Sequence, residues 1–188
     1  MAELEIVVAL AAGVGLAAAS GFRVFVPLLG AGIALRTGWV DAGPDWAWLA
    51  EPVSLVVLGV AVVAEIGAYF VPWLDNALDA ITTPAAVIAG TLLTALMLGD
   101  APQVLKWVLA IVAGGGTAGV VQTGSVLVRG ASLGTTGGLG NPLVSLGELV
   151  MSGLFTVLAI VVPFVAVGLL ALALVVVARR RRRARVAG

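Results

Sequence analysis

The chain has 188 residues, 61% of them hydrophobic, with a mean hydropathy of +1.18 and a formal net charge of zero. Soluble domains are roughly 45–50% apolar, so a water-soluble globule is excluded and one polytopic membrane domain is expected. With no cysteine and no histidine, disulfides, thiolate nucleophiles, imidazole bases and the usual zinc sites are excluded as well.

The zero net charge hides an asymmetry. Arg179 to Arg183 and Arg185 form a basic C-terminal run, while residues 1–178 hold ten acidic against four basic groups, net −6. At the other end, the apolar run from Ile6 to Ala17-Ala18-Ala19 has the small-residue pattern of a signal-peptide cleavage site. Glu3 and Glu5, however, stand where such a peptide carries positive charge, so a retained helix over residues 4–19 is expected. Gly13, Ala17 and Gly21, four residues apart, form a small-residue stripe against which another helix can pack closely.

Ser20-Gly21-Phe22-Arg23-Val24-Phe25-Val26-Pro27 interrupts that run with a helix-weakening pair, a charge and a proline. An ionised side chain in hydrocarbon costs roughly 3 kcal/mol or more, so Arg23 is expected to face the bundle interior, a partner charge or water. The apolar segment that follows, 24–36, falls short of the roughly 20 residues of a full span and reads as tilted or re-entrant. Residues 36–52 form a polar loop in which Arg36, Asp41, Asp45 and Glu51 alternate with Trp39, Trp46 and Trp48. This is an interfacial aromatic belt, and its acidity argues against nucleic acid.

The next apolar segment, 53–71, contains one charge, Glu65. It stands six residues before Val71, about 9 Å inside the slab, and is expected to need a partner or a proton. Asp75 and Asp79 read as an N-cap and a solvated first-turn residue, with a cation-attracting mouth as the sharper alternative. Pro84 is predicted to open a helix to Leu98 in which Gly90, Thr91 and Thr94 mark close helix contact. Gly99-Asp100-Ala101-Pro102 then turns the chain into a helix over 105–128.

Within that helix Gly114-Gly115-Gly116-Thr117-Ala118-Gly119 matches a nucleotide-binding fingerprint by letter. No strand precedes it and no acid lies about 20 residues on, so it reads as a contact face with Gly115 and Gly119 four apart. Gln122, Thr123 and Ser125 follow as a polar cluster suited to bonding across helices or lining a path. From Arg129 to Pro142 glycine and threonine dominate, and a regular helix is not expected there. Exposed backbone N–H groups before a helix at Pro142 would suit an anion, or the segment simply connects. Glu148 opens the last apolar run, 149–177, to be kinked or divided at Pro163. The arginine run then holds the C-terminus in the cytoplasm.

These readings give an all-α polytopic integral membrane helical bundle of six segments (4–19, 24–36, 53–71, 84–98, 105–128 and 149–177). Two of its elements are broken or re-entrant. Residues 1–178 form one transmembrane domain and 179–188 a basic cytoplasmic tail, with both termini on the cytoplasmic side.

Three motifs in order carry a resemblance: Ala19-Ser20-Gly21-Phe22-Arg23-Val24-Phe25-Val26-Pro27, then Leu74-Asp75-Asn76-Ala77-Leu78-Asp79 with Pro84, then Thr135-Thr136-Gly137-Gly138 leading to Asn141-Pro142-Leu143-Val144-Ser145-Leu146-Gly147-Glu148. Over residues 10–175 the chain resembles the bacterial membrane-protein family catalogued as domain of unknown function 4126. The resemblance implies a bacterial inner-membrane protein and no established activity. Family members often show a histidine and an acid pair where this chain has Gln122 and Glu148-Leu149, which weakens a proton relay built on them.

The expected function is a small transporter or channel whose two broken elements, near 20–27 and 134–148, meet at mid-depth. Its candidate solute- or ion-binding residues are Ser20, Arg23, Glu65, Gln122, Asn141, Ser145 and Glu148, and Arg23 is expected to pair with Glu65 or Glu148. The alternative is a non-transporting module that binds lipid headgroups or stabilises a partner membrane complex. Either way the partners are the lipid bilayer and a small ion or polar solute, with a homo-oligomer open and no nucleic acid. No catalytic set, cofactor or metal is implied, so the chain is not read as an enzyme.

Overall fold

The structure, a computed structural model, describes residues 3–68 and 72–186, with side chains for all of these except 72–80 and 180–186. The expected roles of Asp75 and Asp79 and the end of the 53–71 segment therefore lie outside the described residues. The helices are α1 (Glu3–Phe22), α2 (Phe25–Arg36), α3 (Pro52–Ala68), α4 (Pro72–Leu98), α5 (Gln103–Leu109), α6 (Gly116–Thr136), α7 (Asn141–Val161) and α8 (Pro163–Val186). A 3₁₀ turn, Pro44–Ala50, precedes α3, and a π-helical stretch, Ala110–Gly115, joins α5 to α6.

The fold is all-α, as expected, and its surface identifies the solvent. Val53, Val56, Val57, Val60 and Val63 of α3 are exposed, while the buried residue of this helix is Glu65. Exposed valines over a buried charge invert the water-soluble pattern and suit hydrocarbon. Four helical stretches are long and apolar enough to cross a membrane: α1, Ile81–Leu98, Gln103–Thr136 and α7. A fifth arises if the 3₁₀ turn and α3, bent by 59°, make one span. The chain is a multi-pass membrane protein.

Helix α1 is the hub, packed against α4, α6, α7 and α8. Its buried part is built almost wholly of glycine and alanine. A methyl on Gly13 would lie 2.8 Å from Thr94 Cα, and one on Gly21 would lie 2.6 Å from Val121 Cβ. In lipid, where apolar burial drives no association, such close backbone approach supplies the dispersion energy. The stripe of Gly13, Ala17 and Gly21 is thus a packing surface. Gly115 and Gly119 likewise face Val87 of α4, as a contact face rather than a phosphate loop.

Three expectations are corrected. Helix α4 already starts at Pro72, so Pro84 lies inside it instead of opening it. Membrane helices tolerate such a proline where Ser or Thr side chains and neighbouring helices satisfy the freed carbonyl, and Thr82 and Thr83 precede it. The expected break from Arg129 to Pro142 shrinks to Gly137–Gly140, because α6 continues to Thr136. There the Thr135 and Thr136 hydroxyls donate back to the carbonyls of Ala131 (2.8 Å) and Ser132 (2.7 Å). Gly137, at φ 62°, then closes the helix with its N–H on Leu133 O.

The run 149–177 divides beside Pro163, as expected, at Val162 between α7 and α8; the third correction is to its count as one of six segments and to the placing of both termini at one end. Residues seven apart on one helix stand about 10.5 Å apart. Yet a methyl on Gly15 would sit 2.7 Å from Ala159 Cβ and 3.1 Å from Ala166 Cβ. The chain therefore turns sharply, and α8 runs back along α1. Glu3 and the arginine run then lie at opposite ends of the bundle, not at the same one.

Candidate functional site

Buried Arg23, Glu65, Ser125, Arg129, Ser145 and Glu148 gather where α1 and α3 finish and α2 and α7 begin, beside the middle of α6. This is the end toward which α8 carries the arginine run. The local chain explains the break at Arg23. Its N–H still bonds Ala19 O at 3.0 Å, as in a continuing helix, but α2 sets off anew from Phe25.

The new helix is capped from another one. The Glu65 carboxylate of α3 accepts the N–H of Val24 at 2.9 Å on one oxygen and that of Phe25 at 3.3 Å on the other. These would otherwise be orphan donors at a helix start, and an anion there is favoured by the helix dipole. Glu65 is thereby placed beside Arg23 while its hydrogen bonds go to backbone.

The Arg23 side chain, 1% exposed, crosses to α7. Its Nη2 donates to the Ser145 carbonyl at 2.9 Å and to the Ser145 hydroxyl, and lies 3.6 Å from Glu148 Oε2. Of the two expected partners, Glu148 is the one at ion-pair distance. Glu148 is also held from α6: Arg129 Nε donates to Oε1 at 3.0 Å, Arg129 Nη2 donates to Oε2, and the Ser125 hydroxyl donates to Oε1. One carboxylate is thus shared by two guanidiniums and a hydroxyl, all buried.

The other expected residues stand nearby in different roles. Gln122 Nε2 donates to Thr82 Oγ1 at 3.2 Å, tying α6 to α4. The Ser20 hydroxyl bonds Leu16 O of its own helix at 3.1 Å, while Ser152 of α7 reaches Ala19 O at 3.0 Å. Asn141 begins α7, half-buried, with its N–H on Gly138 O at 3.1 Å. It sits one turn before Ser145.

Sequence reasoning missed Arg129, assigned to the glycine-rich break, and left Ser125 out of the site. A signal was present: Gln122, Ser125 and Arg129 are spaced i, i+3, i+7, one face of a helix. Lys106 is buried too, at the opposite end, where its Nζ donates to Gly99 O at 3.1 Å and closes the C-terminus of α4. The chemistry available at the cluster is exchange of ion-pair partners. An anion can replace Glu148 on the guanidiniums, or a cation can share its carboxylate.

The chain matches the model of a family described as a domain of unknown function, DUF4126, over residues 10–183. No curated protein and no solved structure matches it.

Proposed function

We propose that this chain, which belongs to the family described as domain of unknown function 4126, is a small membrane transporter or channel for an ion or small polar solute that binds at the Arg23–Glu148 cluster. One observation carries the reading. Arg23, at the break between α1 and α2, holds Ser145 and Glu148 just beyond the break between α6 and α7. Charged and polar groups gathered in the membrane beside helix ends are among the means by which secondary transporters hold a solute and its coupling ion. Ser125, Ser145 and Asn141 supply neutral polar groups around the charges, and no step of catalysis is invoked. In a cell membrane the arginine run faces the cytoplasm.

The test is flux. Full-length protein in liposomes should move at least one member of a panel of small anions, cations and polar solutes. Arg23→Lys and Ser145→Ala should lower that flux while the protein still elutes as a single folded species. Absence of flux for every solute, with the fold intact, overturns the reading. A second reading has its own support: the cluster's charges pair with one another and are almost wholly buried. That suits a non-transporting module that binds lipid headgroups or stabilises a partner membrane complex, for which the same variants would alter stability and the wild type would carry no flux.

A further inference from the structure

Between α6 and α8 lies a cavity of about 280 Å³ lined by Val112, Gly116, Thr117, Val120, Leu170 and Leu174. It opens on the bundle's surface, since Val112, Val120 and Leu174 are all exposed. Exposed Gly116 is one of its lining residues, and a methyl added there would meet no atom within 4 Å. An apolar groove in a bilayer is filled by hydrocarbon. Its volume of about 280 Å³ is just below the ordinary ligand-pocket range, less than two turns of a helix about 10 Å across would occupy.

Its depth fits one leaflet. Leu170 and Leu174 precede Arg179 by nine and five residues, about 13.5 and 7.5 Å along α8. Half of a hydrocarbon core is about 15 Å. The lining of the groove on α8 therefore lies about 7.5–13.5 Å below the first arginine, within the depth of one leaflet. Five consecutive arginine positions, Arg179 to Arg183, turn through more than a full circle of the helix. Basic positions consequently occur at every angle around the end of α8. Apolar length below and positive charge above are complementary to one molecule.

We propose that the α6–α8 groove binds one acyl chain of an anionic phospholipid whose phosphate lies at the arginine run. The site depends on the chain lying in a membrane, not on whether it transports anything.

Native mass spectrometry of the full-length protein in detergent, titrated with phosphatidylglycerol or with phosphatidylcholine of the same acyl chains, tests it. Phosphatidylglycerol should be retained about tenfold more tightly or better, given the attraction of several arginines for an anionic headgroup. Gly116→Leu should remove the tight-binding lipid, and Gly116→Ala, which adds one methyl into open space, should weaken it in part. Gly59→Leu, on α3 where a side chain also meets no neighbour, should change nothing. Changing Arg179 to Arg183 to glutamine should erase the headgroup preference and leave phosphatidylcholine binding as it was. If both Gly116 variants bind lipid like the wild type, the tail attracts anionic lipid diffusely and the groove site is wrong. If they instead change the oligomeric state, the groove is a contact between copies and the proposal fails.

Discussion

Arg129 holds both oxygens of Glu148 through two different nitrogens, Nε on one and Nη2 on the other. This fork-to-fork geometry makes Arg129, rather than Arg23, the principal partner of the buried carboxylate. Removing one member of a buried pair strands the other at a cost of roughly 3–5 kcal/mol. Arg129→Ala should therefore destabilise the protein in detergent by about that much, and Arg23→Ala by less, because Glu148 keeps its second guanidinium. Unfolding curves in which Arg23→Ala is the more damaging change would reverse this ranking.

Glu65 is expected to matter through α2. Glu65→Ala leaves the Val24 and Phe25 N–H groups without their acceptor, about 1–3 kcal/mol for each buried unsatisfied donor. Hydrogen exchange should rise at residues 24–30 while α6 and α7 keep their protection. Uniform loss of protection across the bundle would mean that Glu65 supports the whole fold and not this helix start.

Two classes of glycine should behave oppositely. Gly21→Ala pushes a methyl to 2.6 Å from Val121 Cβ and 2.7 Å from Ala118 O, an overpacking that should cost about 1–3 kcal/mol. Gly147→Ala and Gly153→Ala meet nothing within 4 Å and should be neutral or stabilise their helix by roughly 0.5–1 kcal/mol. Thermal shifts of the three single variants decide it. Equal losses would contradict the tight contact at Gly21.

Because the chain lacks cysteine, labelling of single introduced cysteines can test the turn at Val162. Glu3→Cys and Thr37→Cys should label from one side of the membrane and Ala184→Cys from the other. Glu3→Cys and Ala184→Cys labelling from the same side would mean that α7 and α8 do not turn back on one another in the membrane.

What was legible in the sequence follows a physical pattern. Long apolar stretches, the small-residue stripe on α1 and the cost of Arg23 in hydrocarbon are each local and strong, and each was readable. The reach of Arg23 to Ser145, 122 positions away, depends on how α1 crosses α7 and leaves no local trace. The 129–142 segment misled for a different reason. Its glycines and threonines have poor helix propensity one by one, but Thr135 and Thr136 return their hydroxyls to carbonyls one turn back. Composition does not register that compensation, so a helix was read as a break and Arg129 was discounted with it. The turn at Pro163 was readable as a bend, whereas its sharpness depends on α8 finding α1.

The position of α1 at the centre sets an order of events during synthesis. Helix α1 leaves the ribosome well before most of the helices that enclose it, since α4, α6, α7 and α8 all follow it in the chain and all pack on it. At about 5–20 residues per second, some 150 residues separate α1 from Leu170, a wait of roughly 7–30 s. Through that interval the glycine and alanine faces of α1 meet lipid or a passing chaperone, and Arg23 stands in the membrane before Ser145 and Glu148 exist to receive it. A chain stopped before α7 would keep every residue of α1 and still lack what encloses it.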